Sequence, residues 1–278
     1  SNEMYTYDIP SNTWAGPLEM QDAPRGRAGH TMTGPIGSKF YMLGGSLFDE
    51  KKQEVILDDM YEFDTKTMKW TALNKAPIAR HGHVAAILEG KLYAWGGRSP
   101  GGEFSTSVSV YDLAVRDWTE ALNLTGFVPA SRQWASGASV QGRHLLVVGG
   151  KREALYNDIY LLDVNAETWC KYTLPCVLDH KMSASLQVVE NPKTGISVYL
   201  FGGLQLQETM DATTYSEQFV TFQLHNKYIQ QTASNVAPSS IKLFAIPDAA
   251  ALTSSAATHS QFNFVSKLSQ PSGAAVVE

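Results

Sequence analysis

"KLYAWGG", residues 91–97, is a short run of aliphatic and aromatic residues closed by two glycines. It is too short for a helix and shows no polar–apolar alternation, so it reads as a strand buried on both faces. The doublet supplies backbone freedom at positive φ and removes two side chains where something must pack closely. One such run is a weak signal, but this sequence repeats it in phase.

The copies are "KFYMLGG" (39–45), "KLYAWGG" (91–97), "HLLVVGG" (144–150) and "SVYLFGG" (197–203). Their doublets, Gly44–Gly45, Gly96–Gly97, Gly149–Gly150 and Gly202–Gly203, recur about every 52 residues, a period that marks a repeat architecture. A second motif keeps the same phase. "YDIPSNTW", "FDTKTMKW", "YDLAVRDW" and "LDVNAETW" place Asp8, Asp64, Asp112 and Asp163 at one fixed spacing before Trp14, Trp70, Trp118 and Trp169. The Asp side chain can accept from turn amides, so each copy reads as a hairpin whose second strand starts near the Trp. A third motif precedes each doublet: Pro24–Arg27–His30, Pro77–Arg80–His83, and Pro129–Arg132 with Ala135 where the His would stand. The fourth copy keeps Pro175 but carries Leu178 at the Arg position.

Each unit therefore holds four antiparallel strands. One such sheet, apolar on both faces, cannot stand alone, and radial stacking of several buries both faces as a β-propeller. The doublets, the Asp-led hairpin, the spaced Trp and the Arg–His turn together resemble the kelch repeat over roughly residues 5–229. WD-repeat propellers have a shorter period and a different signature. The expected fold is all-β, a kelch-type propeller of four-stranded antiparallel blades. Four full repeats and a half blade are visible, which makes five to six blades if the propeller closes.

The domain reading is a propeller over 1–229, with a half blade at 1–14 and repeats at about 15–70, 71–118, 119–169 and 170–229. In the last repeat Gln223 stands at the Asp position and Ile229 at the Trp position. Residues 230–278 form an Ala/Ser-rich segment that reads as blade-closing strands or a docked tail, with "IKLFAIP", "AALTSSAATHS" and "QFNFVSKL" as strand candidates. The visible repeats also read as part of a longer propeller or a larger polypeptide.

A net charge of −5 without a long basic run argues against a nucleic-acid binder, and no apolar segment approaches membrane-spanning length. Two cysteines, Cys170 and Cys176, cannot make a disulfide framework and point to a reducing, cytoplasmic setting. No nucleophile elbow, phosphate loop or zinc motif occurs. Among propellers that the resemblance brings in, galactose oxidase holds copper, but the cysteines here share one loop and the histidines scatter over turns. Plant specifier proteins carry a Glu–Asp–His iron motif, whose nearest match is Glu217, Thr221 and His225, with Thr a poor iron ligand. The expectation is no catalytic or metal residue, no cofactor and no enzyme.

The variable loops 46–59, 98–107, 151–157 and 204–214 differ in length while the strands do not, and loops on a rigid scaffold carry recognition. Arg98, Lys151 and Arg152 directly follow doublets, so they are candidate partner-binding residues together with Trp134 and the turn arginines Arg27, Arg80 and Arg132. The recurrence of those three arginines also fits repeat maintenance, and the doublets, Asp and Trp positions read as structural. The resemblance implies a non-catalytic protein-interaction module or scaffold that binds another protein through its mouth loops. Cytoskeletal, ciliary and ubiquitin-ligase assemblies use such modules. The alternative reading is a propeller joined elsewhere to a phosphatase or ubiquitin-ligase adaptor domain.

Overall fold

The computed structural model describes residues 2–119, 122–172, 181–193, 195–206, 213–215, 218–224 and 241–245. Among the described residues four blade sheets follow one another along the chain, beside three smaller sheets of two or three strands, and in each blade the innermost strand comes first. The first blade is built from Thr31–Ile36, Lys39–Leu43, Met60–Asp64 and Lys69–Leu73, and the second from Val84–Leu88, Lys91–Trp95, Val108–Asp112 and Asp117–Trp118. The third uses Ser136–Val140, His144–Val148, Ile159–Asp163 and Thr168–Tyr172, with the short strand Thr125–Gly126 added parallel on its outer edge as a fifth strand, and the fourth uses Ser185–Asn191, Gly195–Phe201, Gln218–Leu224 and Ile241–Ala245. The first strands of successive blades pack side by side, the arrangement of a β-propeller. Thr6–Asp8 and Thr13–Ala15 form a lone hairpin, the expected half blade.

In the first three blades the doublet strands are buried on both faces, and their residues alternate between two interfaces; the fourth, expected to be the same, buries Ile196, Val198 and Leu200 on one face only, and Phe201 on the other is 46% exposed. Leu92 and Ala94 pack against Tyr41, Leu43 and Met60 of the first blade. Tyr93 and Trp95 pack against Leu145, Val147 and Trp169 of the third. The third and fourth blades meet through Leu146, Val148, Ile159 and Leu161 against Val198, Leu200, Val220 and Phe222. Each such layer removes both sheet faces from water, which one blade could not do. Trp169 is fully buried against the second blade, Trp118 is half-buried against the first, and Trp70 is buried on the first blade's other side beside Met20. Trp14, in the hairpin, is 71% exposed.

All four Asp positions do the turn work read from the sequence. Asp8 accepts from the Ser11 amide, Asp64 from Lys66, Asp112 from Ala114 and Val115, and Asp163 from Asn165 and Ala166. In each turn a non-glycine residue takes positive φ: Asn12, Met68, Arg116 and Glu167. In the fourth blade the register confirms Gln223 at the Asp position, opposite Ser197. The strand expected in "IKLFAIP" completes this blade, so Ile241, not Ile229, stands opposite Phe222 at the Trp position. Residues 225–240 lie outside the described residues, and the strand after them carries the fourth blade past the 229/230 boundary. Pro175, Cys176, Leu178, "AALTSSAATHS" and "QFNFVSKL" lie outside the described residues.

Candidate interaction surface

The doublets fasten blade to blade. Gly45 donates its amide to the Arg80 carbonyl at 2.9 Å, and Gly97 donates to the Arg132 carbonyl at 2.7 Å. A Cβ on Gly97 would lie 2.8 Å from the His81 carbonyl and 2.9 Å from the His83 Cβ, at a φ of +84°. Only glycine fits there. The residue after each doublet is then pinned by paired main-chain bonds to the residue after each turn arginine: Ser46 to Ala28, Arg98 to His81, and Lys151 to Gln133. The fold thereby holds Arg98 and Lys151 at equivalent points of neighbouring blades.

The turn arginines point inward. The Arg27 side chain is 3% exposed; it pairs with Asp59 and donates to the Gly44 carbonyl. Arg132 pairs with Asp158, donates to the Gly149 and Ala130 carbonyls, and stacks on Tyr156 at 3.8 Å. Arg80 is 1% exposed, and burial pushes its pKa down to about 10. These placements match the repeat-maintaining role that recurrence suggested. They leave the surface to the other candidates.

Those candidates meet across the second and third blades. Arg98 donates from Nε to His81 Nε2 at 3.0 Å and from its Nη2 to Glu54. The edge of His81 meets the half-buried ring of Trp134, centroids 5.4 Å apart. Trp134 in turn lies over Gly29 and Gly82 of the first two turns. Arg152 donates to Ser131 Oγ and sits 5.3 Å over the Phe104 ring, which belongs to the second blade's loop. Burial, and then the Arg98 charge, hold the His81 pKa below its usual value, so the ring is a neutral acceptor that aims Arg98. Sequence reasoning missed His81, Phe104 and Glu54. His81 had one available signal, its place directly after the turn arginine.

Two clefts border the first blade instead. The larger, about 630 Å³, is lined by Arg25, Arg27, Ser46, Leu47 and Phe48 among others. No three His, Cys, Asp or Glu side chains are placed to hold a metal among the described residues. Thr221 is half-buried in its strand, while Glu217 and His225 lie outside the described residues.

Blades built on four antiparallel strands, the third with a parallel fifth at its edge, and locked doublet to turn, define a repeat-built β-propeller. The chain belongs to the kelch-repeat family: residues 1–203 match the KLHDC2/KLHL20/DRC7 Kelch-repeats domain. It is 25% identical over 203 residues to Kelch domain-containing protein 3 of Bos taurus, covering 67% of this chain and 50% of that protein. It is 28% identical over 129 residues to N-(sulfonatooxy)prop-2-enimidothioate sulfolyase of Thlaspi arvense, covering 43% of this chain and 36% of that one. The solved structure of YjhT superposes with a TM-score of 0.60 at 17% identity, over 77% of this chain and 72% of that chain, a likeness of fold. The chain spans about half the length of the cattle protein that it matches.

Proposed function

We propose that this chain is a non-catalytic protein-interaction module of the cytoplasm, binding an acidic segment of a partner protein across the loops of its second and third blades. One observation carries the reading. Arg98 and Lys151 hold equivalent backbone positions on neighbouring blades, and the contacts Arg98–His81–Trp134 and Arg152–Phe104 join the loops of those two blades. A local basic group on a chain of net charge −5 steers an acidic partner, and flanking aromatic rings give it apolar area to bury. Glu54 holds Arg98 in the free protein, and a partner carboxylate would exchange with it.

The test is capture of partners from native lysate by wild-type protein and by the triple variant Arg98→Glu, Lys151→Glu, Arg152→Glu, after circular dichroism confirms both are folded. Loss of partners from the variant, reproduced in the wild type by high salt, supports the reading. Identical partner profiles overturn it. A second reading adds further domains to the same module and draws on the coverage of the cattle relative, 50%. The length of the native polypeptide tests it.

A further inference from the structure

The blades differ at one buried position. In the first and third, the residue opposite the first glycine of the doublet is Asp59 or Asp158, and it takes the turn arginine's charge. The tyrosine two residues on lies under the same guanidinium, Tyr61 at 5.6 Å and Tyr160 at 5.6 Å. In the second blade Trp95 pairs with Val108, which puts Ser107 at the aspartate position and Ser109 at the tyrosine position. Arg80 thus meets no carboxylate among the described residues. Its Nη1 donates to the carbonyls of Ala94 at 3.4 Å and Gly96 at 3.0 Å, and its Nη2 to Ser109 Oγ at 2.9 Å. Its Nε has no acceptor and is fully buried. The Ser107 hydroxyl is engaged with Ser105 instead, at 2.7 Å.

A guanidinium does not lose its proton in a protein, so this is a buried cation held by neutral acceptors alone. Such a charge is costly without a counter-charge, and its neighbours in the other blades both have one. We propose that the second blade binds a small monovalent anion, chloride or a simple carboxylate, against Arg80 at the position that Asp59 and Asp158 fill with their own carboxylates. Ser107 and Ser109 are shorter than the aspartate and tyrosine at the matching positions of the other two blades and carry hydroxyls that can donate to a ligand. The site is separate from the partner surface and stands whether or not that reading holds.

The test is thermal unfolding of the full chain in sodium chloride, sodium acetate and sodium isethionate at equal ionic strength, isethionate being the bulky control. The wild type should gain about 3 °C or more in chloride or acetate over isethionate, rising with concentration as ligand binding requires. Comparison of the first two salts tells an inorganic ion from a carboxylate. Ser107→Asp supplies the missing carboxylate from within; it should melt higher than wild type in isethionate and lose most of the anion response. Equal responses of the two proteins would overturn the proposal. Should the variant fail to fold, bromide-soaked wild-type crystals give a second reading, in which an anomalous peak against the Arg80 guanidinium supports the site and its absence overturns it.

Discussion

Trp95 of the second blade and Trp169 of the third lie ring against ring across the blade boundary, centroids 5.4 Å apart and planes tilted by 59°. Both are fully buried. One comes from a doublet strand and the other from the outer strand of the next repeat, so this contact ties the two motifs read from the sequence to a single apolar layer.

Removing that layer's largest ring should be costly. Trp169→Ala is expected to lose about 3–5 kcal/mol of stability in urea unfolding. Trp14→Ala, at the same repeat position but 71% exposed, should change stability by less than about 0.5 kcal/mol. Similar losses for the two would contradict the burial described.

Gly97→Val should destabilise by at least about 2 kcal/mol, because a β-branched residue at φ +84° adds strain and its Cβ meets the His81 carbonyl at 2.8 Å. Gly142 has φ +62° but nothing within 4 Å of an added Cβ. Gly142→Ala should therefore cost only the backbone term, about 1 kcal/mol. Overlaid denaturation curves for Gly97→Val and wild type would refute this account of the doublet.

Asp158→Asn keeps shape and removes charge. It leaves the Arg132 guanidinium, whose side chain is 0% exposed, without its carboxylate, and should cost about 3 kcal/mol. The matching change at an exposed pair, Asp58→Asn beside Lys75, should cost less than about 1 kcal/mol. Chemical unfolding of both variants decides between a working counter-charge and an ornamental one.

His83 is buried; burial, and then the nearby Arg80 charge, hold its pKa well below the usual 6.5. The unfolded chain binds a proton there near pH 6.5 while the folded one does not, so stability should be flat above that pH and fall below it. The slope from this one residue is at most about 1.4 kcal/mol per pH unit. Urea midpoints taken from about pH 7.5 to pH 5 measure it, and His83→Gln should reduce the slope by its share, the rest coming from His30, His81 and His144, which burial also holds low. A wild-type midpoint independent of pH over that range would count against it.

How much of this was legible in the sequence follows from the range of each interaction. Doublets, Asp turns and Trp positions are local, and each leaves a fixed spacing, so the blade and its strand order could be read directly. The pairing of Arg27 with Asp59 and of Arg132 with Asp158 could not. Each pair spans a variable loop of differing length; the acid does stand five residues before the hairpin Asp in both blades, Asp59 before Asp64 and Asp158 before Asp163, but Ser107 interrupts the series in the second blade, and the spacing does not name the arginine as its partner. The left-handed residues Asn12, Met68, Arg116 and Glu167 gave no glycine signal because the Asp side chain and the strand register impose the turn on them. Ile241 was hidden because it stands eighteen residues after Gln223, not six as in the other repeats. At the candidate surface, Arg98, Lys151 and Arg152 were legible as residues following doublets, whereas Phe104 and Glu54 reach them from loops whose course only the fold defines.

The joints from Gly45 to Arg80 and from Gly97 to Arg132 are made of an amide and a carbonyl, groups that belong to the chain and not to any side chain. Substitution at Arg80 or Arg132 can disturb what surrounds a joint, but it cannot delete the acceptor. Only loss of the glycine closes the approach. A change in the loops or rings therefore leaves both groups of these two joints in place, and neighbouring repeats go on mating in the same way.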